Sequence, residues 1–174
     1  MDKKVILENL KNYSDFDITV LNETTSTNTL LKEMAKLGVM ETCMGRVSDK
    51  IIKHQLVAEK TPGTEDLDPK VWTGDRGLTL IEMAPFGIIG SITPSTNPSE
   101  TVICNSMGMI AAGNAVVFNP HPSAKKTSNA AVDLVNRAIL EAGGPENLVV
   151  SVKNPTMKTS DIMVKSPLVK MLVA

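Results

Sequence analysis

The chain has little of several things. Cysteine occurs twice in 174 residues, as Cys43 and Cys104. The two are far apart and no CxxC spacing exists, so neither a disulfide scaffold nor a thiolate metal site is expected. They read as two reduced thiols. Histidine also occurs twice, as His54 and His121. Neither has a cysteine or histidine at ligand spacing, which argues against a metal centre. No run of about 18 uncharged apolar residues is present, so no transmembrane helix is expected. The opening MDKKVILENLKN lacks the apolar stretch of a secretory signal and reads as a short amphipathic helix. Charge of one sign is also missing: 18 basic and 19 acidic side chains give a net charge of −1. A nucleic-acid binder working through a basic face is therefore not expected. There is no internal repeat, no low-complexity segment, no GxGxxG and no Walker loop, so the usual dinucleotide signatures are absent.

What is present suffices for one ordinary domain, with 42% apolar residues to build a core. The texture divides the chain into 1–38, 39–76 and 77–174. The first part holds a short helix pattern, an alternating run at 17–21, a polar TTSTN cluster and a helix pattern from Leu30 to Leu37, stopped by Gly38. The second is charged and helical to about Lys60. TPGTEDLDPK then reads as a loop, with two prolines, a glycine and three carboxylates.

The third part is apolar and strand-rich. Leu78–Met83 and Gly87–Ile92 are strand-like, separated at Pro85. In TPSTNP, Asn97 suits an N-cap, Pro98 the first helical position, and Glu100 a capping box. The helix should run from Pro98 to Ala112, with Gly113 taking positive φ after it. Ala115–Asn119 reads as a strand, and Ser123 as the next N-cap. Ala131, Leu134, Val135, Ala138, Ile139 and Ala142 form one helical face. Gly143-Gly144-Pro145 ends it. A strand at Leu148–Val152, a helix at about 156–165 and a strand at Val169–Val173 complete a β-α-β-α-β-α-β order. That order predicts an α/β fold, a partial doubly wound parallel sheet with a helical N-terminal region. Ligands then bind beyond the carboxyl ends of the strands, at Thr93–Asn97, Asn119–Ser123 and Lys153–Thr156.

Two readings stay open at each of these turns. TPSTNP can hold an anion or a developing oxyanion on its N–H groups, or be a plain capped turn. NPHP at 119–122 can aim His121 at a ligand, or be a stiff loop with an exposed histidine. Cys104, between Ile103 and Asn105 on a helix, reads as packing. Lys125 and Lys126 at a helix start can serve a phosphate or be solvated, the second being the preferred reading, and the ten methionines read as core gap-fillers.

Long strings carry a resemblance. ETCMGRVSDKIIKHQLVAEKTPGTEDL, and later WTGDRGLTLIEMAPFGIIGSITPSTNPSETVICNSMGMIAAGNAVVFNPHPSAKK, resemble the CoA-acylating aldehyde dehydrogenases of the ethanolamine- and propanediol-utilisation type. The resemblance spans about 39–174. It implies a Rossmann-like NAD-binding domain and an NAD-dependent conversion of an aldehyde and coenzyme A to an acyl-CoA. It also implies a cytoplasmic or bacterial-microcompartment enzyme. Asn97 matches the family's oxyanion donor. Thr93, Pro94 and Ser95 match residues of the cofactor cleft, and Asn119, Pro120, His121 and Pro122 the loop beside the adenosine. Many superfamily members carry lysine where Asn119 stands, and the CoA-acylating branch does not.

The family's glycine-rich pyrophosphate turn and nucleophilic cysteine lie after the strand that ends at Ala174, and Cys104 does not match that cysteine. The resemblance therefore implies an N-terminal part, inactive alone. It further implies a tendency to homo-oligomerise or to pair with full-length subunits through an uncovered last strand. A non-catalytic nucleotide-binding or interaction module is the alternative. Cys43 stands where the family has glycine.

Residues 17–38, DITVLNETTSTNTLLKEMAKLG, resemble instead the opening of a biotin protein ligase catalytic domain. That would put Ser26, Thr27 and Asn28 in a biotin-contacting turn; otherwise they cap a helix over 29–37. The two resemblances meet near Lys36–Val39, as in a fusion, a misassembled frame or a chimera.

Overall fold

A computed structural model describes residues 25–174. The N-terminal helix and the strand expected at 17–21 lie outside the described residues. The described residues begin with two helices, α1 (Thr25–Thr42) and α2 (Val47–Lys60). A 3-10 turn at Glu65–Leu67 leads to a hairpin of β1 (Lys70–Gly74) and β2 (Gly77–Ile81). Then come β3 (Ile88–Thr93), α3 (Pro98–Ala111), β4 (Ala115–Pro120), α4 (Lys125–Glu141), β5 (Val149–Ser151), α5 (Met157–Lys165) and β6 (Val169–Val173). This is the expected alternation from Gly87 onward.

The sheet is four-stranded and wholly parallel, in the order β5-β4-β3-β6. The chain steps outward from β3 to β5, then crosses to the far side of β3. That reversal makes a doubly wound sheet and opens a crevice beyond the carboxyl end of β3. The two faces of β3 show the layering. Ser91 accepts a hydrogen bond from Asn105 Nδ2 on α3 at 3.0 Å. Gly90 faces the other way, where an added Cβ would lie 3.2 Å from Met163 of α5 and from Leu172. Helices thus cover both faces, as a parallel sheet requires. The core between sheet and helices holds Val102, Val116, Phe118, Ala131, Val132 and Val149, with Met34 reaching in from α1. Each large apolar side chain so buried stabilises the fold by about 1.5–3 kcal/mol.

Four local expectations change. The STN tripeptide is not a turn: residues 26–28 lie within α1, whose helix already runs from Thr25. α1 also passes Gly38 and continues to Thr42, because the tertiary contact with α4 outweighs the local helix penalty of glycine. It ends instead at Cys43, with φ of 56°, and Gly45, with φ of 77°. Residues 70–74 form a strand where the sequence reads as charged region and loop. β1 pairs only with β2, antiparallel, in register Val71↔Leu80 and Thr73↔Leu78, so β2 does not join the parallel sheet. Finally, Ser123 does not cap α4. The His121 ring accepts from Ser123 N–H and caps the short 3-10 turn Pro122–Ala124, while α4 is capped from a distance by Glu41.

Candidate functional site

The turn after β3 carries Thr93, Pro94, Ser95 and Asn97. Thr93 is buried, and its carbonyl accepts from His121 N–H at 3.0 Å, tying this turn to the end of β4. Pro94 is exposed and Ser95 half-buried. Asn97 precedes α3, yet its side chain makes no capping bond, and the capping box with Glu100 does not form. Both side chains have other partners, and these come from α2.

Lys50 and Lys53 reach the turn from one face of α2. Lys50 Nζ donates to the Thr96 carbonyl and lies 3.4 Å from Glu100 Oε1. Lys53 Nζ donates to Asn97 Oδ1 at 2.8 Å. His54, one turn past Lys50, is 1% exposed. Its Nδ1 lies 2.7 Å from the Lys50 carbonyl, and its Nε2 lies 2.9 Å from Ser99 Oγ. A carbonyl only accepts, so Nδ1 carries a hydrogen. Ser99 Oγ also lies 3.2 Å from Glu100 Oε2. Lys50, His54, Ser99 and Glu100 thus form one buried polar cluster. Glu100 Oε1 makes no hydrogen bond and is held by the ion pair alone. Among side chains this buried, an uncompensated charge is costly, so the cluster fixes α2 against the start of α3.

Beside this cluster lies a groove of about 300 Å³ between α2 and α3. Asn97, Glu100, Thr101, Cys104 and Asn105 line one wall, at helical spacing along α3. Lys53, Leu56 and Val57 line the other. Neither Cys104 nor the exposed Cys43 makes a hydrogen bond to a base among the described residues. The groove combines apolar walls with the Asn97 amide and the Lys53 ammonium at its mouth. Chemically it can receive a small molecule with an apolar body and a carbonyl or anionic oxygen.

At the end of β4, Asn119 and Pro120 are buried and His121 and Pro122 exposed. Asn119 Nδ2 donates to Ser160 Oγ at 2.6 Å, and its Oδ1 accepts from Thr159 Oγ1 at 3.2 Å. Both partners are on α5, so this amide is engaged by its own protein. His121 Nδ1 is 2.7 Å from Ser123 Oγ. The parallel register Ile92↔Asn119 and Thr93↔Pro120 sets the two turns side by side at one sheet edge. Within that edge Asn97 faces α2 and Asn119 faces α5. At the crevice Pro94 is exposed and Ser95 half-buried, while Asn119 is engaged through both ends of its amide by α5. Ser26, Thr27 and Asn28 belong to α1, away from both turns in the chain.

Sequence reasoning passed over Lys50, Lys53 and His54. Lys50 and His54 stand at i and i+4 on α2, but only the structure shows that this polar face is the buried one, with Ile52 and Leu56 63% and 55% exposed. An inverted helix of this kind needs polar partners on its inner face.

The model of the aldehyde dehydrogenase family matches residues 32–174. The chain belongs to the aldehyde dehydrogenase family. It is 56% identical over 142 residues to the acetylating acetaldehyde dehydrogenase EutE of Salmonella typhimurium, covering 82% of this chain and 30% of that one. To the CoA-propanoylating propanal dehydrogenase of the same organism it is 44% identical over 143 residues, covering 82% and 31%. The solved propionaldehyde dehydrogenase of the Clostridium phytofermentans fucose utilisation bacterial microcompartment superposes with a TM-score of 0.81 at 59% identity, covering 84% of this chain and 34% of that one. The chain spans about a third of the length of these relatives. The family match begins inside 17–38, and the resemblance of that stretch to biotin protein ligases finds no support among the relatives.

Proposed function

We propose that the chain forms the first half of the cofactor-binding domain of an NAD-dependent, CoA-acylating aldehyde dehydrogenase. The overall reaction is aldehyde, coenzyme A and NAD to acyl-CoA and NADH. The observation that carries this reading is the 56% identity to an acetylating acetaldehyde dehydrogenase over 142 residues, 82% of this chain. A Rhodopseudomonas palustris relative, 51% identical, has been solved with propionyl-CoA bound, which supports CoA use at the level of the family.

In this reading Thr93, Pro94 and Ser95 border the dinucleotide, and Asn97 donates a hydrogen bond to the oxygen that gains charge when an aldehyde is attacked. Pro120, His121 and Pro122 shape the adenosine side, with Asn119 holding α5 in place behind them. NAD, when bound, supplies the hydride acceptor. Both thiols are free and have no hydrogen-bonded base among the described residues, and Cys104 does not match the position of the family's nucleophile, so this reading assigns the nucleophile to neither Cys43 nor Cys104. Residues 77–174 are the nucleotide-binding unit and 39–76 the helical region and loop that lead into it, while the family match from residue 32 assigns the end of the 1–38 segment to the same family. A cytoplasmic or microcompartment location fits the relatives.

The test is calorimetric titration of the chain with NAD and with coenzyme A, beside an NADH-absorbance assay with acetaldehyde, coenzyme A and NAD. Binding of either nucleotide without turnover is expected. Absence of binding to both overturns the nucleotide-binding reading, and NADH formation overturns the assignment of the thiols.

A second reading is favoured by the β1–β2 hairpin, whose strands are exposed along their whole length. It treats the chain as an interaction module that pairs with a second copy or with full-length subunits.

A further inference from the structure

We infer that Lys53 is a positioning residue: it turns the Asn97 amide so that its N–H bonds face the α2–α3 groove, and it gives that groove its positive charge. The inference rests on the reading of Asn97 as an oxyanion donor and adds the device that aims it.

A primary amide has an accepting end and a donating end. An ammonium can only donate. The 2.8 Å contact from Lys53 Nζ therefore selects Oδ1 and fixes which way the amide is flipped. Among the described residues Nδ2 has no protein partner, at a groove that Lys53, Asn97 and Cys104 all line. Among these residues Asn97 has no other side-chain anchor, because the helix cap does not form. Without Lys53 either flip is open to it. The ammonium also polarises the amide, since a charge-assisted bond at the oxygen strengthens the N–H groups as donors.

The charges facing the groove leave Lys53 in surplus. Glu100 also lines it, but it is neutralised by Lys50 at 3.4 Å. Of the other lining residues, Leu56, Val57, Thr101 and Asn105 carry no charge. One uncompensated cation and one oriented amide suit an anionic or strongly polarised oxygen on a small apolar body, such as an aldehyde carbonyl under attack or a carboxylate.

The experiment is side-chain amide NMR on the 15N-labelled chain. Asn97→Asp identifies the Asn97 NH₂ pair by its loss. In the unsubstituted chain that pair should lie apart from exposed amides. Lys53→Met should return it to their position, and Lys53→Arg, which keeps a cationic donor, should restore the original position. Lys53 is exposed, and unchanged backbone signals of β3 and β4 in the variants will report an intact fold. If Lys53→Met disturbs those signals, Lys53→Leu, which likewise has no donor, replaces it with the same expectation. An Asn97 pair unmoved by loss of the ammonium overturns the positioning role. Sodium acetate is then added as an oxygen-anion probe. A shift of the Asn97 pair that is lost in Lys53→Met supports the groove's charge. If acetate leaves the pair unmoved although Lys53→Met moves it, the oxyanion reading of Asn97 fails while the positioning contact stands.

Discussion

Glu41, in the last turn of α1, caps Thr127 in the first turn of α4. Its Oε2 accepts from both the backbone N–H and the hydroxyl of Thr127, each at 2.7 Å. Oε1 accepts from Lys126 N–H at 2.8 Å. A carboxylate there satisfies orphan donors and complements the helix dipole. One side chain, 86 residues away in sequence from Thr127, thus joins α1 to α4 and the parallel sheet it covers.

Glu41→Ala should therefore destabilise the chain by about 2 kcal/mol, the range of hydrogen bonds to charged groups. Glu41→Gln, which keeps one accepting oxygen, should lose less. Urea unfolding followed by circular dichroism measures both. Equal midpoints for Glu41→Ala and the unsubstituted chain would remove the cap from the account.

The same α1 terminus explains a second prediction. Cys43 leaves the helix with φ of 56°, a conformation that a side chain disfavours and glycine accepts. Cys43→Gly should raise stability by about 1 kcal/mol, from relief of the left-handed penalty. Cys43→Ala should give no such gain, which separates backbone strain from loss of the thiol. The check is the shift in urea midpoint of the two variants.

How much of this was legible in the sequence depends on where the partners lie. β6 was expected at Val169–Val173 and is found there; α3 was expected to begin at Pro98 and does. Local chemistry set these: Pro98 at the first helical position, Gly113 at positive φ, apolar runs between turns. Tertiary contacts set what was missed. Asn97 and Glu100 have capping-box spacing, but Lys53 and Lys50, 44 and 50 residues earlier, take both side chains. β1 has no periodic signal of its own, only a partner across a two-residue turn. The match to known relatives supplied the chemistry that periodicity alone did not.

The buried pair yields the third prediction. Lys50 is 3% and Glu100 4% exposed, and each is the other's ion partner. Lys50→Met leaves Glu100 buried without its cation and should cost about 3–5 kcal/mol. Glu100→Leu strands the ammonium and should cost a similar amount. The double variant Lys50→Met with Glu100→Leu removes both charges and should recover much of the loss. A double-mutant cycle on unfolding free energies reads the coupling directly. Additive losses would mean that Lys50 acts mainly through the Thr96 carbonyl, and Glu100 mainly through Ser99.

The last prediction concerns the hairpin. Strand alternation and the β1–β2 register put Val71, Leu80 and Leu78 on one face, exposed by 54%, 52% and 67%. Trp72 and Ile81 lie on the other, exposed by 54% and 44%. A two-stranded ribbon with apolar side chains on both faces is marginal in water by itself. A contiguous exposed patch of this kind is a contact surface in a folded protein or a site of association. Sedimentation velocity should therefore show the chain associating as its concentration rises. Leu80→Lys puts a charge opposite Val71 at the centre of one face and leaves the parallel sheet untouched. It should weaken association without lowering the stability of the β3–β6 unit. If association persists unchanged in Leu80→Lys, the contact lies elsewhere. The open edge of β6 is then the next surface to alter, because β3 is its only neighbour among the described strands.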